Sequence, residues 1–458
     1  MDIINENYSD DDINEFIDYD ISNSIILNID TTYETNPKIL LYKELMRYNT
    51  ISGLNDNFKM KLNELPKDIY DTVELFKNNS CKLIELINRW CWHQYNNKTC
   101  CDNVIPYVAD GKYEYDRFIE DLNYILKKNN NSKEISADDK IIQKLKEMVS
   151  NYLSIEIFNF KKKIENIQTK LNSTQLCDDL NINNDVSEKK NRLSTFYNNQ
   201  AYQVIINQKV YDRLKLKLIM FGKKYNLITN CVGNIDNYLD YYIFCILFRY
   251  SYLDAGNQQL AINQYIKEMY KKCGVNFELF GSAINTVSSH YCSLFYDIEQ
   301  YFGSNGNFND IEIKKGIFWC NPPYDDTIMT NAAYKLIKIL ENSTEIAFVV
   351  TIPIWDKYTQ DLLISDKIEY VTRKYTNTIA EQHDDHKIYS ILKPFIKDEI
   401  IIPKSRIPYF NYKKYSNINA VNTYMLLVYN SLNKNIADKL SKNFDKIIAL
   451  DKNNFFIK

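Results

Sequence analysis

The apolar positions fall into two textures along the chain. From residue 38 to about 171 they recur every three or four residues, as one face of a helix requires. Ile141, Ile142, Leu145, Met148, Val149, Tyr152 and Ile155 make the clearest run, continued by Phe158, Ile164, Ile167 and Leu171. The same spacing predicts helices over about 202–224 and 236–251. After Lys272 short apolar runs fit strands at 275–280, 316–320, 346–352, 400–402 and 424–429, with helix-like stretches between them, notably 330–341. Strands alternating with helices predict an α/β class with a mostly parallel, doubly wound sheet. The expected organisation is an acidic, loosely ordered tail at 1–36 and a helical domain at 37–235. A polar linker interrupts that domain near 172–200, and the α/β domain follows at 236–458.

Composition narrows this picture without redirecting it. A chain of 458 residues with 45% apolar content has room for two or three cores. Lys and Arg (56) nearly balance Asp and Glu (59), so a nucleic-acid surface must be a local patch. Gly (10) and Pro (9) are scarce while Tyr reaches 37, a bias that fits AT-rich coding better than any fold requirement. Ten cysteines without regular spacing, and no basic-then-apolar start, fit a reduced intracellular setting. No apolar run approaches the length of a membrane span.

The chemistry concentrates in Asn321-Pro322-Pro323-Tyr324, which follows the apolar run 316–320 and precedes a polar helix start at Asp325. This arrangement fits enzymes that methylate the exocyclic amino group of a nucleobase. That amine is a poor nucleophile, because its lone pair is delocalised into the ring. Acceptors set against its two hydrogens polarise it, and an Asn carboxamide oxygen with the next backbone carbonyl can supply them. Two prolines stiffen the loop, and an aromatic ring offers a stacking surface. Asn-Pro-Pro also marks ordinary turns, so its position after a strand matters. The second candidate strand end, Phe280-Gly281-Ser282-Ala283-Ile284-Asn285, has small residues where a cofactor carboxylate could approach the backbone. Asp297 and Glu299 offer carboxylates for ribose hydroxyls. Tyr301-Phe302-Gly303-Ser304-Asn305-Gly306 adds a turn that a plain loop would equally explain.

Residues 274–285, GVNFELFGSAIN, with Tyr291-Cys292-Ser293-Leu294-Phe295, Asp297, Glu299 and 301–306, resemble the phosphorylated-CTD-interacting factor family of cap-specific adenosine methyltransferases. Leu247-Phe248-Arg249-Tyr250-Ser251, Ile352-Pro353-Ile354-Trp355 and Asn422-Thr423 extend the resemblance over roughly 240–430. It implies a Rossmann-like methyltransferase core joined to a helical domain, and S-adenosylmethionine as methyl donor. The substrate implied is the 6-amino group of the first transcribed adenosine beside a 7-methylguanosine cap. Capped RNA is then the partner, alongside capping or transcription machinery. By position, Asn321, Pro322, Pro323 and Tyr324 would be catalytic. Phe280, Gly281, Ser282, Asn285, Asp297, Phe302 and Gly303 would hold the cofactor. Arg249, Trp355, Lys404, Arg406 and Lys413 are the candidate substrate contacts. Transfer would be direct, without a metal or a covalent intermediate. DNA adenine methylation and a silent RNA-binding scaffold are the rival readings. The chain departs from the family in having Tyr324 for Phe, Gly281-Ser282-Ala283 for Ala-Ser-Pro, and Glu299 for Asp. No amino-terminal WW module is read around Trp90 and Trp92.

Three clusters carry weaker readings. The stretch 404–415 interleaves basic and aromatic residues, suiting phosphates and bases or merely a solvated loop. Cys91, His93, Cys100 and Cys101 lack metal-site spacing and read as buried thiols. His383-Asp384-Asp385-His386 lies in a polar stretch and reads as an exposed loop.

Overall fold

The computed structural model describes residues 25–27, 36–63, 90, 102, 104–105, 113–116, 118–121, 123, 136, 139–170, 180–187, 189–222, 235–253, 260–286, 288–355, 357–364, 369–373, 387–406, 409–412 and 415–453. In the first half come β1 (Ile25–Leu27), α1 (Pro37–Asn63), α2 (Lys140–Lys170), β2 (Asn183–Ser187), β3 (Lys190–Tyr197), β4 (Gln200–Asn207), α3 (Gln208–Phe221) and α4 (Ile235–Tyr252). Next are β5 (Leu260–Ala261), α5 (Gln264–Lys271), β6 (Val275–Glu278), β7 (His290–Tyr291), α6 (Tyr296–Glu299), β8 (Ile311–Ile313), β9 (Gly316–Cys320), α7 (Asp326–Glu341) and β10 (Ile346–Pro353). The chain closes with α8 (Lys357–Ile364), β11 (Thr372–Arg373), α9 (Lys387–Leu392), β12 (Ile396–Ile402), β13 (Tyr409–Asn411), β14 (Ser416–Ile418), β15 (Thr423–Tyr429) and α10 (Lys434–Lys452).

Seven strands form the central sheet, in the order β11-β12-β15-β10-β9-β6-β7. The β7, β6, β9 and β10 pairings are parallel, whereas β15 runs antiparallel to both β10 and β12, and β11 is antiparallel to β12. The sheet is therefore mixed, not mostly parallel as the alternating pattern predicts. Strand spacing does not report direction, and this is why the sequence pattern overstated the parallel share. Every residue of β10 is buried, as expected for a strand covered on both faces. The period of two then divides its side chains. Phe348, Val350 and Ile352 join Phe318 and Leu426 under α7 and α9, while Ala347 and Val349 join Trp319 and Leu427 under α5 and α10.

A second correction concerns the polar stretch expected as a linker near 172–200 and the helix expected from 202. Residues 183–207 form the antiparallel meander β2-β3-β4, and the helix begins only at Gln208. Asn198 and Asn199, with φ of 49° and 60°, make the two-residue turn between β3 and β4. Leu193 and Thr195 on β3 and Tyr202, Val204 and Ile206 on β4 alternate inward. The outward residues are polar enough to imitate a linker.

Among its described residues, the amino-terminal part includes the helices α1 to α4 and the small sheet β2-β3-β4. Its core also contains Ala283, Ile284, Tyr291, Phe295, Tyr301 and Phe302, so the turn beyond β6 rests on the packing of α1, α3 and α4. No described helix is long and apolar enough to cross a membrane.

Candidate active site

The carboxyl ends of β6 and β9 open on one cavity of about 1030 Å³, the position where α/β sheets bind ligands. Asn321, Pro322, Pro323 and Tyr324 line it from β9; Phe280, Gly281 and Asn285 line it from β6; Trp355 and Tyr409 also contribute. The sequence-predicted tetrapeptide and much of the predicted cofactor turn therefore share one chamber.

The loop after β9 is shaped locally. Asp325 caps α7 by accepting from the N–H groups of Thr327 and Ile328 at 3.0 and 3.1 Å. Its own N–H donates to the Pro323 carbonyl at 2.8 Å, not to that of Pro322. The Tyr324 hydroxyl lies 3.4 Å from the Asn321 carboxamide oxygen and meets the Tyr409 hydroxyl. Burial, reinforced by Tyr409, holds the Tyr324 phenol well above its usual range. Tyr324 is thus a neutral ring and hydroxyl, not a phenolate. Burial likewise pushes up the thiols of Cys320 and Cys292, so neither is a ready nucleophile.

The turn after β6 is closed by its own polar groups. Asn285 Oδ1 accepts from the Ser282 N–H at 2.8 Å and from the Ser282 hydroxyl at 3.0 Å. Glu299 accepts from the Ala283 N–H at 2.7 Å and from Tyr250. Burial pushes the Glu299 carboxyl up to about 7, against the pull of those two donors. From α3, Arg213 donates to the Ile284 carbonyl, and Lys217 Nζ lies 3.4 Å from the carbonyls of both Ala283 and Thr286. Lys267 Nζ pairs with Glu278 at 2.6 Å. Basic side chains from α3 and α5 therefore brace this strand end and its turn, with burial holding the Lys217 amine well below its usual range.

Other predicted residues sit elsewhere. Asp297 does not line the cavity. Its carboxylate accepts twice from the Arg249 guanidinium, at 2.7 and 2.8 Å, and from Arg47 at 3.5 Å. Arg249 is wholly buried and also binds Glu44, so it is a strut between α1, α4 and α6 and not a surface for substrate. Phe302 is buried in the amino-terminal core. Gly303 adopts φ of 96°, and a Cβ there would lie 2.6 Å from the Phe221 ring, so its glycine answers a packing demand. Ser282 is buried behind the cavity wall, holding Asn285. Lys404 donates its N–H to Asn422, and Arg406 lies over the Tyr370 ring and donates to the Glu369 carbonyl at 2.5 Å. Lys413, Cys91, His93, Cys100, Cys101 and the 383–386 cluster lie outside the described residues. No group of side chains able to hold a metal occurs among the described residues.

Sequence reading missed Arg213 and Lys217, which carry no motif. Tyr409 was visible only as one aromatic among several at 404–415.

With this geometry in view, similarity to known proteins becomes specific. Residues 223–389 match the family model described as "Phosphorylated CTD interacting factor 1 WW domain". The match supports the family resemblance drawn from the motifs. The described residues within it include α4, the four parallel strands, α7 and the wall around Asn321. The chain is also 34% identical over 121 residues to the mouse protein named "mRNA (2'-O-methyladenosine-N(6)-)-methyltransferase", covering 25% of this chain and 17% of that relative. Its human counterpart, of the same name, is 33% identical over the same length. The aligned region spans about a sixth of the length of these curated relatives.

Proposed function

We propose that this protein is an S-adenosylmethionine-dependent methyltransferase acting on the 6-amino group of the adenosine next to a 7-methylguanosine cap on mRNA. The observation that carries the reading is Asn321-Pro322-Pro323-Tyr324 at the end of β9, lining the same cavity as Phe280, Gly281 and Asn285. The names of the mouse and human relatives support the substrate. On this reading the central sheet is a Rossmann-like methyltransferase core. Residues 37–235 are a largely helical amino-terminal domain that buttresses it.

The residues present fit the cofactor. The cavity is at the upper end of the range for small-molecule sites, which suits a nucleoside cofactor beside a target base. Gly281 lets a ligand approach the backbone after β6, and Phe280 and Asn285 flank it. When bound, S-adenosylmethionine supplies a methyl group activated by its sulfonium. The Asn321 carboxamide oxygen and the Pro322 carbonyl accept from the two amine hydrogens and return electron density to the nitrogen. Tyr324 stacks on the adenine, and the two prolines keep the acceptors from drifting. Catalysis is positioning and electrostatics. An end-of-chain nucleotide is cheaper to present than a base drawn from a duplex.

The test is transfer of label from S-adenosylmethionine to short RNAs beginning with A or G, capped or uncapped, beside matching DNA. Label on capped A-starting RNA alone is the expected outcome. Label on DNA, or on RNA regardless of the cap, would move the substrate. No label from folded protein would favour a silent binding role.

A further inference from the structure

The loop that carries Asn321 is tied to two distant strands by a row of hydroxyls. The Tyr324 hydroxyl meets that of Tyr409; Tyr409 lies 2.9 Å from Thr423 Oγ1; and the Thr423 hydroxyl donates to the Val421 carbonyl at 3.2 Å. Tyr409 stands on β13 and Thr423 opens β15, beside Pro353 of β10. The two tyrosine rings meet edge to face, with centroids 6.4 Å apart. Burial raises both phenols, so each keeps its hydrogen at neutral pH.

The hydrogens in this row can be counted. A carbonyl only accepts, and each hydroxyl has one hydrogen to give. Thr423 gives its hydrogen to Val421, Tyr409 gives to Thr423, and Tyr324 gives to Tyr409. The Tyr324 hydroxyl then has no hydrogen left for the Asn321 carboxamide oxygen, 3.4 Å away. That oxygen therefore keeps its lone pairs for another donor. Run in the opposite direction, the row would place a hydrogen on the Asn321 oxygen and deprive the Val421 carbonyl of the Thr423 hydrogen.

Resting on the function proposed above, we infer that Tyr409 and Thr423 are positioning residues for the reaction. Their hydroxyls, anchored at Val421, draw the Tyr324 hydrogen away from Asn321 Oδ1 and so reserve that oxygen for the substrate amine. The resemblance places Phe at the position of Tyr324, so the row belongs to this chain and not to the family pattern.

The experiment is steady-state methyl transfer by the full chain on its best RNA or DNA substrate. It compares wild type with Tyr409→Phe, Thr423→Val, Tyr324→Phe and the Tyr324→Phe/Tyr409→Phe double variant. Losing the hydroxyl of Tyr409 or of Thr423 should lower kcat about fivefold, the scale of one hydrogen bond, and leave the KM for S-adenosylmethionine unchanged. The double variant should be no slower than Tyr324→Phe alone, because both act through one row. Wild-type kcat in both Tyr409→Phe and Thr423→Val overturns the inference, as does multiplication of the two effects in the double variant. Absence of transfer by the wild type overturns the proposed function and this inference with it. Wild-type transfer with unaffected variants overturns the positioning role alone.

Discussion

The two strand ends that face the cavity are held by opposite means. Beyond β6 the framework is charged and dry. Arg213 and Lys217 grip backbone carbonyls, Glu299 takes a backbone N–H, and Lys267 closes on Glu278. Behind them Arg249 joins Glu44 to Asp297. Beyond β9 the framework is neutral apart from the Asp325 and Asp326 carboxylates at the helix start: two prolines, a capping turn and a row of hydroxyls. A buried charge that loses its partner is costly, so a charged frame has little tolerance for rearrangement. The loop 321–324 itself carries no cation beside the acceptors of Asn321 and Pro322, which is what an amine donor needs. The first arrangement suits a fixed cofactor seat, and the second suits a substrate-facing loop.

The largest effect should come from breaking the charged frame at its centre. Arg249→Ala would leave the buried Glu44 and the partly exposed Asp297 without their main partner, at a cost of about 3–5 kcal/mol in unfolding free energy. Urea denaturation measures it, and a loss under about 1 kcal/mol would mean that the cluster is not a strut. On the neutral side, Asn321→Ala should leave the urea midpoint unchanged and slow methyl transfer by about 10²–10³-fold, as for loss of one preorganised polar group. Turnover at the wild-type rate would remove Asn321 from the chemistry. The two variants together separate a residue that supports the fold from one that acts on the substrate.

This contrast also explains what the sequence could convey. The strands 316–320, 346–353 and 423–429 were legible because each is a continuous apolar run bounded by polar residues. The four residues of the β9 loop were legible because the chemistry needs them consecutive. Arg249 and Asp297 were read as ligand contacts because the partner that claims Arg249, Glu44, lies 205 residues earlier. No local pattern announces such a pairing. The meander at 183–207 was lost because the outward residues of β3, such as Lys190, Arg192 and Ser194, are polar. The signals that could have found it are the Asn198-Asn199 turn and the alternation Tyr202, Val204, Ile206. Strand direction was illegible throughout the sheet.

A titration sharpens the comparison next. The Glu299 carboxyl is pushed up to about 7 by burial, above its value in an unfolded chain. The folded state therefore holds the proton more tightly than the unfolded one, and stability from this group is greatest below about pH 4. It declines as pH rises toward 7, by about 3 kcal/mol in all, and is level above that. Glu299→Gln, which cannot ionise, should flatten this part of the stability–pH curve measured by urea unfolding between pH 5 and 8. An identical slope in the variant would assign the pH dependence to other groups.

The smallest effect tests whether the charged frame reaches the cofactor at all. Arg213 donates to the Ile284 carbonyl, and its guanidinium lies 4.4 Å from the centre of the Tyr412 ring. It thus touches both the turn beyond β6 and the residue that follows β13. Arg213→Ala removes one brace of that turn, while Lys217 and Glu299 keep the others. A loss of about 1 kcal/mol in cofactor binding is expected, raising the Kd for S-adenosylmethionine about fivefold in calorimetry. If the turn is the cofactor seat, that change should appear in Kd, with kcat at saturating cofactor nearly unaffected, because the Asn321 loop has its own supports. A fall in kcat at constant Kd would mean instead that Arg213 serves the substrate side through Tyr412, and the division between a charged cofactor frame and a neutral substrate frame would not hold.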